Sequence, residues 1–212
     1  GTLFYSGTTL SRLREEKPEL INETWIRRML PMLFGAIKTI HDEGYLHRDI
    51  SLDNIQIQDN GLPVLLDFGS ARRTIGNLSD ETETMLRPGF APIEQYTDDN
   101  ESEQGPWTDI YALAATFYFI VSGRKMLDAL SRAKGASYPP LHELCPAVSR
   151  QLSDVIDKAL AFDYHDRYRR MLDFLDALEQ VAKETLPNGY GYAFAESSAQ
   201  EREAGGKTIY AL

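Results

Sequence analysis

The sequence predicts a mainly helical α+β fold, in which a bundle of helices carries one short β-hairpin. Apolar residues recur at helical spacing over several long stretches, which predicts the helices. Two short apolar runs, 55–57 and 64–66, flank the turn 59–61, which contains Asn-Gly. An Asn-Gly turn between apolar runs is typical of a hairpin. Such a hairpin would fold Asp67 back beside Asn54.

Length, charge and cysteine content restrict the class of protein. The 212 residues suit one domain, or one lobe followed by a tail. A formal net charge of −10 argues against a nucleic-acid partner and against an anionic membrane surface. The single cysteine, Cys145, cannot form an internal disulfide, so we expect a reducing, cytoplasmic compartment. No apolar run approaches the ~20 residues of a membrane span, so we expect no membrane contact from this segment.

The first part of the chain predicts the end of a strand and two helices. Residues 1–7 are apolar and then glycine-containing, which indicates a strand that runs into a loop. A short helix is predicted over 9–14. Residues 23–43 carry apolar side chains at helical spacing and predict a long helix that ends at Gly44. We expect only a packing role for this helix, with His41 an ordinary surface or half-buried residue.

The later part of the chain predicts a buried central helix and three further helices. The stretch between Gly105 and Gly123 is apolar nearly all round, which is typical of a buried helix. Asp109 suits the first turn of that helix because the helix dipole favours an anion there. Three packing helices are predicted over 126–134, 149–161 and 170–183. From residue 187 the composition shifts to Gly, Ser and Glu, which predicts a flexible tail or linker over 187–212.

The candidate site lies in the stretch 47–54, His-Arg-Asp-Ile-Ser-Leu-Asp-Asn, and in Asp-Phe-Gly at 67–69. Asp49, Asn54 and Asp67 could each hold a metal ion or a proton. Phosphoryl transfer needs a carboxylate and a neutral oxygen to bind Mg²⁺, and a second carboxylate to orient the attacking hydroxyl. The pattern therefore predicts phosphoryl-transfer chemistry.

These motifs resemble the catalytic loop and the metal-binding motif of eukaryotic-type protein kinases. The resemblance implies that Asp49 is the catalytic base. It implies that Asn54 and Asp67 bind the Mg²⁺ of an ATP complex, with Mn²⁺ as an alternative. It implies structural roles for His47 and Phe68.

A second stretch, 88–96, resembles the end of the activation segment in bacterial eukaryotic-like Ser/Thr kinases. The resemblance implies an activation segment over 67–94. It implies a buried ion pair between Glu94 and Arg167, and it gives Asp109 the further task of holding the backbone of the catalytic loop.

Arg48 directly precedes the predicted base, and we expect a regulatory role for it. A cation at this place usually pairs with a phosphorylated or acidic residue of the activation segment. A solvated arginine is the alternative. The candidate phosphorylation sites are Thr74, Ser79, Thr82 and Thr84.

Three positions depart from the family pattern. Ser51 stands where a lysine usually follows the catalytic aspartate, and Arg87 stands where a threonine is usual. Arg87 could supply the positive charge that Ser51 lacks, so we count it among the catalytic residues. Gln56 replaces the apolar residue expected under the adenine. The predicted nucleotide contacts are Phe4, Tyr5, Gln56 and Asp67.

The resemblance covers one large lobe, residues 1–186, in which 1–7 would be a remnant of the hinge. The 212 residues contain neither a Gly-x-Gly-x-x-Gly motif nor an apolar strand ending in lysine ahead of the long helix. We therefore expect the small lobe to be absent, either removed or naturally missing. The cleft would then need that lobe or a partner to cover it.

The resemblance implies ATP-dependent phosphoryl transfer to Ser or Thr of protein substrates. We expect this chain to be inactive without its small lobe. Two alternatives stay open at this point. A pseudokinase-like binding or scaffold module would keep the fold without catalysis, as the missing phosphate-binding lysine suggests. A small-molecule kinase would share Asp49 and Asn54, but the motif at 91–94 argues against it.

Overall fold

Seven α-helices and five short strands make up the described part of the computed structural model, which comprises residues 7–21, 23–66, 72–73, 86–96 and 104–185. The predicted tail, 187–212, lies outside the described residues. So do several residues predicted for the site: Phe4, Tyr5, Asp67, Phe68, Thr74, Ser79, Thr82 and Thr84.

The helices follow the predicted order. They are α1 (Leu10–Glu16), α2 (Glu23–Asp42), α3 (Pro106–Ser122), α4 (Ala129–Ala133), α5 (Leu141–Leu144), α6 (Arg150–Ala159) and α7 (Met171–Thr185). The helices predicted near α1, α2, α3, α6 and α7 are confirmed to within a few residues. The predicted helix over 126–134 is shorter, and the four-residue α5 was not predicted.

Helix α2 packs its apolar side against α7. Phe34 is fully buried, and its ring centroid lies 4.9 Å from that of Phe174 on α7. Gly44 ends the helix in the left-handed region, with φ 78°, and its N–H donates to the His41 carbonyl at 3.0 Å. A residue with a Cβ is strained at such a φ, which is why glycine suits this exit. The exit delivers the chain directly into the candidate site.

Helix α3 runs through the core and is buried on nearly all sides. Pro106 begins it, and the Thr108 hydroxyl oxygen accepts the Gly105 N–H at 3.1 Å. Gly123, with φ 70°, ends it, and its N–H donates to the Phe119 carbonyl at 2.8 Å. Because the helix is fixed by packing all round, it can hold a polar side chain of its first turn in one place.

The predicted hairpin is confirmed. Strands β3 (Ile55–Gln58) and β4 (Pro63–Leu65) pair antiparallel, with Ile55 opposite Leu65. Strand β1 (Gly7–Thr9) pairs antiparallel on the other edge of β3, which gives the order β1-β3-β4. The Leu66 N–H donates to the Asn54 carbonyl at 2.7 Å, so the chain returns to Asn54 immediately before residue 67.

A second, two-stranded sheet joins the residues just before His47 to the start of the predicted activation segment. Strand β2 (Tyr45–Leu46) pairs antiparallel with β5 (Arg72–Arg73). Among the described residues, no helix combines the length and the apolar composition needed to cross a bilayer.

Candidate active site

The catalytic loop, residues 47–54, brings Asp49 and Asn54 together. Asn54 ends the short 3₁₀ helix Leu52–Asn54, and its Nδ2 donates to the Asp49 Oδ2 at 2.7 Å and to the Asp49 carbonyl at 2.7 Å. Since both N–H groups of the amide are used in this way, the Asn54 Oδ1 is the atom left to face a cation. A neutral oxygen of this kind is a ligand that Mg²⁺ accepts, so the donor set fits the predicted metal.

The Arg87 guanidinium lies on the Asp49 carboxylate. Its Nε donates to Oδ1 at 2.6 Å and its Nη2 to Oδ2 at 3.4 Å, while its Nη1 donates to the Asp53 Oδ2 at 2.9 Å. The hydrogen bond to Asp49 raises the pKa of Arg87, with burial opposing it. Arg87 is 35% exposed and Asp49 13% exposed, so this contact lies at the mouth of the site. Asp53 was not singled out from the sequence.

Ser51 takes no part in this contact. Its side chain is buried, and its Oγ has no hydrogen-bond partner among the described residues. The positive charge that faces Asp49 in the described part of the chain is therefore that of Arg87, as the sequence suggested.

The Asp109 carboxylate binds the backbone of the catalytic loop. It is fully buried in the first turn of α3, where its Oδ2 accepts the His47 N–H at 2.8 Å and its Oδ1 accepts the Arg48 N–H at 2.8 Å. These are the contacts that the resemblance implied for this residue.

The ionised form of Asp109 is favoured in the folded protein. Burial is the largest influence and opposes the charge, but the hydrogen bond and charge of His41, with His47 and the Arg48 amide, outweigh it and lower the pKa of Asp109. The folded-state pKa therefore lies below the ordinary carboxyl value of about 4. The stability that Asp109 contributes is present above that pH and is lost as the pH falls through the lowered pKa.

The half-burial expected for His41 is confirmed, but the expectation of a packing role alone was wrong. Its side chain is only 7% exposed, and its Nε2 donates to the Asp109 Oδ2 at 2.8 Å. The end of α2 lies against the start of α3, so His41 supplies a donor to a carboxylate that would otherwise be costly to bury. Two features of the sequence could have indicated this contact. A carboxylate in a helix predicted to be buried needs hydrogen-bond donors, and His41 lies in the last turn of the helix that precedes the catalytic loop.

Arg48 adopts a left-handed backbone conformation, with φ 67°. Among the described residues, it is the one non-glycine residue with a positive φ. This conformation costs about 1–2 kcal/mol for a residue with a Cβ. Two neighbours hold it: Asp109 binds its N–H, and the Gln95 Nε2 donates to its carbonyl at 3.0 Å. No pattern in the sequence singled out Gln95.

His47 has a structural position, as expected. It is fully buried, its Nδ1 accepts the Asp49 N–H at 3.3 Å, and its Nε2 lies 3.1 Å from the Leu66 carbonyl. These partners require the tautomer with the proton on Nε2. The imidazole thus links the catalytic loop to the residue that precedes position 67.

Glu94 and Arg167 form the predicted ion pair. Arg167 Nη1 lies 2.6 Å from Oε1 and Nη2 lies 3.2 Å from Oε2, with both side chains buried. The remaining groups are also bonded. Arg167 donates to the Ala161 and Phe162 carbonyls, and Thr108 donates to Glu94 Oε1. A buried pair is tolerated when its remaining donors and acceptors are satisfied in this way.

The predicted nucleotide and metal contacts are only partly described. Gln56 lies in β3, half-buried, opposite Val64 and Thr9. Among the described residues, no group of three or more His, Cys, Asp or Glu side chains could hold a metal ion. Of the two predicted metal ligands, Asn54 belongs to the described residues and Asp67 lies outside them.

Comparison with known proteins gives a consistent family. The family model described as protein kinase domain matches residues 4–180. Serine/threonine-protein kinase PknA of Nostoc is 26% identical over 198 residues, which are 90% of this chain and 34% of that protein. Serine/threonine-protein kinase F of Synechocystis is 30% identical over 181 residues, 82% of this chain and 35% of that protein.

A solved structure extends the comparison to the fold. The structure described as PpkA-294 apo form is 57% identical in sequence, with a TM-score of 0.72, over 84% of this chain and 62% of that chain. The chain spans about a third of the length of the two curated relatives named above, at 34% and 35%.

Removing the Glu94 carboxylate should destabilise the fold strongly. Glu94→Ala leaves the buried Arg167 without its counter-ion, and we expect the free energy of unfolding to fall by ~3–5 kcal/mol. Chemical denaturation followed by circular dichroism measures this loss. The matched control is Asp173→Ala, which removes the exposed pair with Arg170 and should cost less than ~1 kcal/mol. Equal losses in the two variants would contradict the prediction.

Proposed function

This chain belongs to the protein kinase family, and from that premise we propose that it transfers the γ-phosphoryl group of ATP to Ser or Thr of protein substrates. The observation that carries the proposal is the arrangement at Asp49. Its carboxylate is fixed by Asn54 on one oxygen and by Arg87 on the other, at 2.7 and 2.6 Å. Fixed carboxylates at the mouth of a site are suited to orienting a hydroxyl.

In this proposal Asp49 is the catalytic base. It orients the substrate hydroxyl and takes its proton as the new oxygen–phosphorus bond forms and the bond from the γ-phosphorus to the bridging oxygen breaks, which releases ADP. Asn54, through its Oδ1, and Asp67 would hold Mg²⁺, which would neutralise the charge that develops on the phosphoryl oxygens.

Arg87 is proposed to supply the cation that usually comes from a lysine after the base. Its guanidinium has five donors, and contacts with Asp49 and Asp53 use three of its nitrogens. Ser51, buried and uncharged, leaves this task to Arg87.

Arg48 is proposed as the receiver of a regulatory phosphate. Its guanidinium is carried on a buried side chain next to the base, and β2 pairs with β5 at the start of the activation segment. A phosphate on Thr74, Ser79, Thr82 or Thr84 would add charge that an arginine binds.

The nucleotide cleft is proposed to need a small lobe, or a partner, that covers it. The support is in the sequence, where the 212 residues hold no glycine-rich phosphate-binding motif. A non-catalytic binding or scaffold module is a second candidate function. The replacement of the usual lysine by Ser51 favours it, while the contacts of Asp49 favour catalysis.

Covering the cleft should raise the affinity for nucleotide. Residues 1–212 alone should bind Mg-ATP more weakly than ~1 mM, a free energy of about 4 kcal/mol, because an exposed phosphate loses charge contacts to solvent. Isothermal calorimetry of this chain, with and without a small lobe joined ahead of it, measures the difference. Micromolar binding together with turnover by the chain alone would contradict this part of the proposal.

Removing the charge of either predicted aspartate should stop the reaction. With a small lobe supplied, Asp49→Asn should lower phosphotransfer to a Ser/Thr peptide by at least about a hundredfold, the usual contribution of a general base. Asp67→Asn should abolish Mg²⁺-dependent nucleotide binding. Asp59→Asn, in the exposed hairpin turn, is the matched control and should keep full activity. Wild-type rates in Asp49→Asn would remove the proposed base.

The charge of Arg87 should be required and partly replaceable. Arg87→Ala should lower kcat by roughly a hundredfold, in the range of a lost electrostatic group at a reacting centre. Arg87→Lys should keep part of the rate, because it keeps the charge but cannot bind two carboxylates with a fork. Adding Ser51→Lys to Arg87→Ala should restore activity in part. The control is Arg170→Ala, on the exposed surface; equal losses at Arg87 and Arg170 would argue against a local role.

A further inference from the structure

Gln95 makes a buried hydrogen bond that joins the end of the activation segment to the catalytic loop. It ends the 3₁₀ helix Ile93–Gln95 and is 9% exposed. Its Nε2 donates to the Arg48 carbonyl at 3.0 Å, across 47 positions of sequence. Its neighbour Glu94 is anchored by Arg167, so the position from which Gln95 reaches the loop is fixed by the core.

The carbonyl that Gln95 binds belongs to the same peptide group as the N–H of Asp49. That N–H donates to the His47 Nδ1 at 3.3 Å. The peptide plane between Arg48 and Asp49 is therefore held at both ends. Because the Asp49 side chain leaves the backbone next to this plane, a rotation of the plane would displace the carboxylate.

The strained conformation of Arg48 makes this restraint necessary. A left-handed non-glycine residue persists when its surroundings over-determine it, and at Arg48 they do so from two sides. Asp109 on α3 accepts the Arg48 N–H, which belongs to the peptide group between His47 and Arg48. Gln95 donates to the Arg48 carbonyl, which belongs to the peptide group between Arg48 and Asp49. Without Gln95, the described contact that remains on the second peptide is the 3.3 Å hydrogen bond from the Asp49 N–H to His47.

We propose that Gln95 is a positioning residue for the catalytic base, so that Asp49 is correctly placed only when the segment 86–96 is docked. The inference rests on the proposed function of Asp49. The same segment reaches the base a second time through Arg87, which binds the Asp49 side chain. Docking of one segment thus sets both the backbone and the charge environment of the base.

Two substitutions test the donor, with the protein carrying a small lobe ahead of this chain. Gln95→Met keeps length and removes the donor, and Gln95→Glu keeps shape but places a carboxylate against a carbonyl. Each should lower kcat by about tenfold to a hundredfold, as small misplacements of a catalytic group do, with KM for Mg-ATP unchanged within twofold. The amide ¹⁵N resonance of Asp49 should shift, because its peptide group loses the hydrogen bond.

Gln104→Met is the matched control. Gln104 also donates its Nε2 to a backbone carbonyl, that of Glu94 at 3.4 Å, but it does not contact the catalytic loop. Its removal should leave kcat and the Asp49 resonance unchanged. Equal losses of kcat at Gln95 and Gln104 would overturn the inference, as would a kcat within twofold of wild type in folded Gln95→Met.

The folding of each variant and the activity of Asp49→Asn are measured in the same experiment. If Gln95→Met does not fold, Gln95→Glu is judged by the same criteria, and failure of both to fold while Gln104→Met folds would overturn the inference in favour of a purely structural role. Asp49→Asn separates the two proposals. Full activity in that variant would overturn the proposed function, whereas lost activity there with normal activity in Gln95→Met overturns this inference alone.

Discussion

The whole candidate site depends on one buried carboxylate, that of Asp109. It accepts two backbone N–H groups of the catalytic loop and one histidine N–H, and it sits where the dipole of α3 favours negative charge. The catalytic loop has little regular secondary structure of its own. By binding to a helix that is packed on all sides, it gains the rigidity of the core.

Two arginine–carboxylate pairs secure the segment 86–96 in different ways. The Glu94–Arg167 pair is buried, bidentate and fully hydrogen-bonded, so it acts as a fixed anchor. The Arg87 guanidinium is divided between Asp49, which is 13% exposed, and Asp53, which is 60% exposed. The pair with Asp53 is exposed and therefore weak. The segment is thus held firmly by its buried pair and less tightly at Asp53.

Those helices and the hairpin that have a local sequence pattern were predicted from the sequence. Helical spacing predicted α2 and α3, and the Asn-Gly turn predicted the β3–β4 hairpin. The ion pair of Glu94 and Arg167 was predicted from the family resemblance and not from a local pattern. Helix α5 was missed because four residues are too few for a helical period to show. The roles of the site residues, and the contacts of Asp67, stay predictions.

Residues that act through tertiary contacts left little mark in the sequence. His41, in the last turn of α2, binds a carboxylate 68 positions later, and Gln95 binds a carbonyl 47 positions earlier. Gln95 belongs to no periodic face or turn signal, and the place of His41 four residues after Ile37 indicates its burial but not its partner. Their partners are decided by how helices pack, which a single sequence does not specify locally.

The distance along the chain between Glu94 and Arg167 has a consequence for biosynthesis. The carboxylate leaves the ribosome 73 residues ahead of its counter-ion. At ~5–20 residues per second, the nascent segment waits about 4–15 s before the arginine that will bury it has been made. During that interval Glu94 stays hydrated, and the end of the activation segment has no anchor. The newly made chain therefore anchors this side of the candidate site only after Arg167 has been translated.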